Sequence, residues 1–130
     1  FRDIGTNLGL AFQIRDDILG IWGDEKKTGK PLGSDIRHRK KTFPIIYAVE
    51  KADEKQKKEL ISIYQNGMLA EDGIVTVLTI LDAVDARLQT QKVIKRYSDI
   101  AIEAIDKLAL LPSAKHDLEE VAYFLIERSF

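Results

Sequence analysis

Along residues 8–21 the apolar positions recur three and four apart. Leu10, Ile14, Ile18 and Ile21 fall on one side and Leu8, Phe12 and Leu19 on another. This is the pattern of an α-helix that is apolar around most of its circumference, and such a helix is expected to be buried. Phe1-Arg2-Asp3-Ile4 runs into it with no capping residue or turn ahead, so the sequence reads as beginning inside a helix, with a further N-terminal part expected before it. Over 23–34 the pattern lapses into glycines, a proline, lysines and an aspartate, which predicts a loop. Thr42-Phe43-Pro44 is a helix entrance, with Thr42 as the N-cap and Pro44 in the first turn, leading into an apolar stretch over 45–52. A second helix is expected over 53–65, closed by Asn66-Gly67. Residues 74–81 have strand propensity, but the apolar run continues through Val84 toward Leu88 without alternation, which favours helix. Leu88, Val93, Ile94, Tyr97, Ile100, Ala101, Ala104, Ile105 and Leu108 predict an amphipathic helix over 86–110. Pro112-Ser113 interrupts it. A last helix over 114–128 would place Leu118, Val121, Ala122 and Leu125 on one side. About six helices and no convincing strand make the chain all-α.

Composition narrows the picture. A chain of 130 residues, 45% apolar and 32% charged, suits one domain with its own core. Its 20 lysines and arginines nearly cancel 21 aspartates and glutamates, so nothing global attracts nucleic acid and any basic site must be local. The absence of cysteine excludes disulfides, thiolate metal sites and a thiol nucleophile, and fits a cytoplasmic setting. No apolar run approaches the roughly 20 residues that span a bilayer, and no signal-peptide pattern opens the sequence. The expectation is a soluble chain.

Candidate chemistry lies on the first helix. Gln13, Asp16, Asp17 and Gly20 stand at i, i+3, i+4 and i+7, one polar stripe on an otherwise apolar element. An ionised carboxylate held away from water needs a cation, a basic side chain or a wet cavity. Spacing alone leaves two readings open. The stripe faces solvent and pairs with Arg15 or a loop lysine, or it binds a metal. Beyond it come Gly29-Lys30-Pro31-Leu32-Gly33-Ser34-Asp35 and then Arg37, Arg39, Lys40 and Lys41. Carboxylates for a hard cation beside lysines and open backbone are the parts that hold a diphosphate bridged by Mg²⁺. A solvated lysine-rich loop is the alternative. A nucleotide-binding P-loop is excluded, since Pro31 replaces the required Ser or Thr, Asp24 stands where the first glycine belongs, and no strand precedes. Trp22, Tyr47, Tyr64, Tyr97 and Tyr123 read as packing or helix-edge residues. His38 and His116 read as surface residues rather than metal ligands, and the charges over 51–59 as a solvated helix face.

The string Gly9-Leu10-Ala11-Phe12-Gln13-Ile14-Arg15-Asp16-Asp17-Ile18-Leu19-Gly20, with Gly23-Asp24, Gly29-Lys30-Pro31, Gly33-Ser34-Asp35 and Lys40-Lys41-Thr42-Phe43-Pro44, resembles the second aspartate-rich region of the polyprenyl synthetases, the trans-isoprenyl diphosphate synthases. The specific match covers about residues 5–48. Later helices are similar only in length, spacing and the closing Phe124-Leu125-Ile126-Glu127-Arg128. The resemblance implies a C-terminal fragment, over 1–130, of one isoprenoid synthase helical bundle, normally homodimeric. It implies Mg²⁺-dependent condensation of isopentenyl diphosphate with an allylic diphosphate, as in geranylgeranyl or farnesyl diphosphate synthases. Metal ions and lysines assist departure of pyrophosphate, an apolar cavity shields the allylic cation, and no protein nucleophile takes part. Carried over by residue, Asp16 is a direct Mg²⁺ ligand and Asp17 a supporting, water-mediated one. Gln13 lies near the allylic diphosphate, and Lys30 and Lys40 contact diphosphate oxygens. Asp16 and Lys30 are thus the catalytic candidates. Gly20 departs from the family's DDxxD pattern at the third aspartate, and the family's first aspartate-rich motif is absent from these residues. The fragment alone is therefore expected to be inactive. A non-catalytic regulatory subunit or a cyclase-like relative on the same fold are the alternatives, and product length is not legible.

Overall fold

In the computed structural model, residues 2–23, 32–65, 69–108 and 111–126 are described, and every element among them is an α-helix. In chain order these are α1 (Arg2–Trp22), α2 (Ser34–Arg37), α3 (Phe43–Lys51), α4 (Glu54–Gln65), α5 (Glu71–Ala83), α6 (Ala86–Asp106) and α7 (Pro112–Ile126). The expected all-α class and the six expected helices are present. The four-residue α2 falls where a loop was expected to end, and four residues are too few to leave a periodic signal. No helix among the described residues is long and apolar enough to cross a membrane.

The first helix differs from expectation in one respect. Ile4, Leu8, Ala11, Ile14, Ile18 and Ile21 form a single buried line at three-and-four spacing, whereas Leu10 is 41% exposed and Phe12 and Leu19 are half-buried. The helix is amphipathic rather than buried all round. Leu10 and Ile14, placed together on one side by counting, part company because about 100° per residue carries four positions 40° around the axis.

The chain divides into two compact units. One combines α1 as far as Asp16 with the chain from Gln91 onward, and its interior includes Ile94, Ser98, Ala101 and Ile105 of α6 and Ala122 of α7. Ser98 is tolerated there because its hydroxyl donates to the Ile94 carbonyl at 2.7 Å. Pro112 begins α7 at a position where a missing N–H is harmless. Val121, expected on the inner side, is 54% exposed.

The other unit runs from Asp17 to Thr90 and carries the candidate site. Its core joins Ile21 from α1, Ile36 from α2, Ile45 and Ala48 from α3, Leu60 from α4, Ile74, Val77, Ile80 and Leu81 from α5, and Ala86. Trp22, Tyr47 and Tyr64 pack against it, in line with the packing role expected of them, and the Arg87 guanidinium lies 5.7 Å from the Trp22 ring centroid. Asp53 and Gln56 form a reciprocal cap on α4, the Asp53 carboxylate accepting from the Gln56 N–H at 2.7 Å and the Gln56 side chain accepting from the Asp53 N–H at 3.3 Å. The stretch 74–81 is helical. The apolar run toward Leu88 does not continue as one helix, because Asp85 turns left-handed at φ 54° and separates α5 from α6. Aspartate is one of the few non-glycine residues that adopt this conformation readily. An apolar hollow of about 350 Å³ opens between α3 and α4, lined by Ile45, Ile46, Val49, Leu60, Ile61 and Tyr64, and no residue of the polar stripe lines it.

Candidate functional site

The polar stripe of α1 is graded along its length. Gln13 is exposed, Asp16 half-buried, and Asp17 and Gly20 are buried. Gln13 and Asp16 belong to the first unit, whereas Asp17, Gly20, Asp35 and Lys40 belong to the second, where they are brought together. Lys30 lies outside the described residues.

Asp17 is only 6% exposed, so it does not face solvent, although it does pair with a lysine as the first of the two readings expected. Its Oδ2 accepts the backbone N–H of Phe43 at 3.1 Å, and its Oδ1 lies 3.7 Å from the Lys40 ammonium. Phe43 is the first residue of α3, so Asp17 caps a helix from 26 residues away in sequence. Thr42 occupies the expected N-cap position with extended backbone, but its side chain makes no capping bond. Its buried hydroxyl meets no hydrogen-bond partner among the described residues. The cap thus comes from α1 instead of the residue whose type announced it.

Lys40 is held by its backbone as well. Its N–H donates to the Asp35 carbonyl at 2.9 Å, and its own carbonyl accepts from the Thr42 N–H at 3.0 Å and from the Tyr64 hydroxyl at 3.3 Å. Burial, and then the negative charge of Asp35, push the Tyr64 hydroxyl well above the usual phenol range, so it stays protonated and able to donate. The chain reaches Lys40 through Arg39, which is left-handed at φ 51° and whose Nε donates to the Ile63 carbonyl at 3.2 Å. A non-glycine residue in this region costs about 1 kcal/mol, and the Ile63 bond helps offset it. Lys40 is 46% exposed along its side chain while its two carboxylate neighbours are nearly covered. The ammonium therefore sits at the rim of a small acidic recess.

Gly33 sets the start of α2. At φ 73° it is left-handed, its N–H donates to the Ile21 carbonyl at 3.0 Å, and a Cβ there would press on Ile74 Cγ2 at 3.2 Å. Only glycine satisfies the backbone angle and the close approach together. This bond ties the end of α1 to the start of α2, which places Asp35 beside Gly20.

At the far end of α2, Arg37 makes a two-pronged ion pair with Glu71 on the first turn of α5, the longer contact being 3.2 Å. The Arg37 hydrogen bond holds the Glu71 carboxyl below its ordinary value. A lowered folded-state value means that this contribution to stability is present above the unfolded carboxylate value of about 4.3 and is lost as pH falls through the folded one. NMR titration is expected to give a Glu71 midpoint below that of an unpaired glutamate, returning to it in Arg37→Gln. An unchanged midpoint in the variant would show the pair to be absent in solution.

His38 and His116 lie on the surface as expected, His38 Nδ1 2.8 Å from the Ser34 carbonyl oxygen and His116 3.0 Å from Glu120. Among the described residues no group of three or more histidines, cysteines, aspartates or glutamates is arranged to hold a metal. Asp35 is the site residue that the sequence reading quoted without giving it a role. The available signal is its place directly after the expected loop, two residues beyond Gly33.

Comparison with known proteins gives a consistent result. The sequence profile of the family described as polyprenyl synthetase matches residues 1–81. Geranylgeranyl diphosphate synthase from Saccharolobus solfataricus is 39% identical over 127 residues, which are 97% of this chain and 38% of that protein. The crystal structure of geranylgeranyl pyrophosphate synthetase from Pyrococcus horikoshii superimposes with a TM-score of 0.86 at 37% identity, covering 98% of this chain and 38% of that one. Geranylgeranyl pyrophosphate synthase from Corynebacterium glutamicum, solved with isoprenyl diphosphate and magnesium, gives 0.82 at 26% identity, covering 97% and 36%. The chain thus spans well under half the length of these relatives.

Proposed function

The chain belongs to the polyprenyl synthetase family, and on that premise we propose that it forms one side of a Mg²⁺-dependent prenyltransferase site condensing isopentenyl diphosphate with an allylic diphosphate. The observation that carries this reading is the burial of Asp17 with Lys40 held against it. A covered carboxylate with a rim lysine against it and a second covered aspartate, Asp35, on the same ammonium is costly to build for packing alone. It suits a surface that receives a metal-bound polyanion.

The residues fit Mg²⁺, which is commonly held by one or two carboxylates together with waters and substrate phosphates rather than by a full protein cage. Asp16, which is half-buried, would be the direct ligand. Asp17, committed to Phe43 and Lys40, would act in support. When bound, the metal would neutralise charge developing on the departing diphosphate. Lys40 and Lys30 would bind diphosphate oxygens as compact point charges, and Gln13 would contact the allylic diphosphate. These groups stabilise a leaving group and need no nucleophile, so the chemistry asks of the protein only charge placement and exclusion of water. Action as a homodimer is part of the same proposal.

The experiment is a graft. When these 130 residues replace the matching segment of the Saccharolobus solfataricus synthase, the chimera is expected to keep Mg²⁺-dependent condensation, while the 130-residue chain alone shows none. A chimera that is folded by circular dichroism yet releases no pyrophosphate would sink the proposal. Condensation by the chain alone would show that it needs no further segment.

A further inference from the structure

The helix α2 ends in a Schellman motif. The Arg39 N–H donates to the Ile36 carbonyl and the Lys40 N–H to the Asp35 carbonyl, both at 2.9 Å, and Arg39 takes the left-handed position at φ 51°. Glycine is the usual occupant of that position, because it adopts the conformation without strain. Arginine there carries a local cost and brings a side chain that glycine would not. Its Nε donates to the Ile63 carbonyl at 3.2 Å, in the last turn of α4, where carbonyls run out of donors from their own helix and a cation is favoured. The next residue of that helix returns a bond, the Tyr64 hydroxyl donating to the Lys40 carbonyl at 3.3 Å. Two successive residues of α4 thus hold two successive residues of the turn, one accepting and one donating. Strain kept at a position whose side chain makes a long-range bond points to a turn whose placement is used. We propose that the last turn of α4 is the support of the turn at 39–40, with Arg39 and Tyr64 as positioning residues that set where the Lys40 ammonium is presented. What Lys40 binds rests on the diphosphate reading above, whereas the support itself does not.

Three variants of the chain test it. Tyr64→Phe keeps the ring against the core and loses the hydroxyl, Arg39→Gly suits the left-handed angle and loses the side chain, and the third combines them. Native-state hydrogen exchange at the Lys40 and Thr42 amides is expected to quicken roughly threefold to tenfold in each single variant, the worth of one hydrogen bond, and further in the pair. In Arg39→Gly the amide of Leu81, in the core of the same unit, is expected to keep its rate, because relief of the left-handed strain offsets the lost bond. The Lys40 side-chain NMR order parameter is expected to fall in that variant although stability does not. Unchanged exchange at Lys40 in either single variant overturns the proposal, and so does an unchanged order parameter in Arg39→Gly. Calorimetric titration with Mg²⁺ and inorganic pyrophosphate separates the two readings. If the natural chain binds, both single variants are expected to bind more weakly, and neither substitution is expected to matter once Lys40→Ala is present, as for residues that act through Lys40. A loss that persists beside Lys40→Ala would mean that Arg39 or Tyr64 meets the anion directly and overturns the positioning role. If the natural chain binds no pyrophosphate while exchange and order change as expected, the diphosphate reading falls and the support of Lys40 stands.

Discussion

Alanine at Asp16, in the chimera with the Saccharolobus solfataricus synthase, is expected to lower condensation by roughly 10³-fold, the loss seen when one preorganised electrostatic contact to a departing charge is removed. Thermal stability should not change, because Asp16 is half-buried and takes part in none of the ion pairs among the described residues. Alanine at Asp17 should behave differently although it is the next residue. It removes the acceptor for the Phe43 N–H and one of the two carboxylates against Lys40. A lost helix cap costs about 0.5–2 kcal/mol, so Asp17→Ala is expected to unfold more easily as well as to lose turnover. The two measurements, turnover at saturating Mg²⁺ and unfolding in urea, separate the roles. Equal destabilisation by both variants, or undiminished turnover in Asp16→Ala, would contradict this division.

Leu81→Ala is expected to cost about 2–5 kcal/mol, the range for deleting a fully buried leucine side chain. Leu81 has no exposed surface and lies in the core that Ile21, Ile36, Ile45, Leu60 and Ile74 also enter. Those residues come from five different elements, so a cavity at Leu81 weakens the docking of all of them. Trp22 is the sole tryptophan and packs on this core, which makes its fluorescence a local reporter of the second unit. A urea midpoint for that signal shifted by the equivalent of less than about 1 kcal/mol would mean that the surroundings collapse into the cavity.

Periodicity made the helices legible, because burying one face of a helix leaves a three-and-four signature in the sequence. It located residues 74–81 on a helix against their strand propensity, since packing overrides propensity at Ile74, Val77, Ile80 and Leu81. What it could not supply was pairing at a distance. Thr42 carries the right residue type for a cap and stands in the right place, yet the bond to Phe43 comes from Asp17. Likewise Gly20 reads in sequence as a missing aspartate, and only the approach of α2 shows that the Asp35 carboxyl lies against it. Both features depend on where the Gly33 bond to Ile21 brings the chain back, and no local pattern encodes that. Asp16 and Asp17 were found by spacing, but their different burial was not, because helical counting places neighbours about 100° apart without saying which of them another element will cover.

The cap that α3 receives from α1 has a consequence for sorting relatives of this chain. A sequence that had stopped serving catalysis would still need an acceptor for the Phe43 N–H, so selection for folding alone would keep an acceptor such as aspartate or asparagine at position 17. Retention there is consequently poor evidence that a relative is active. Asp16 has no such second employment among the described ion pairs, so under the proposed function drift at that position would be the better marker of a lineage that had kept the scaffold and given up the chemistry.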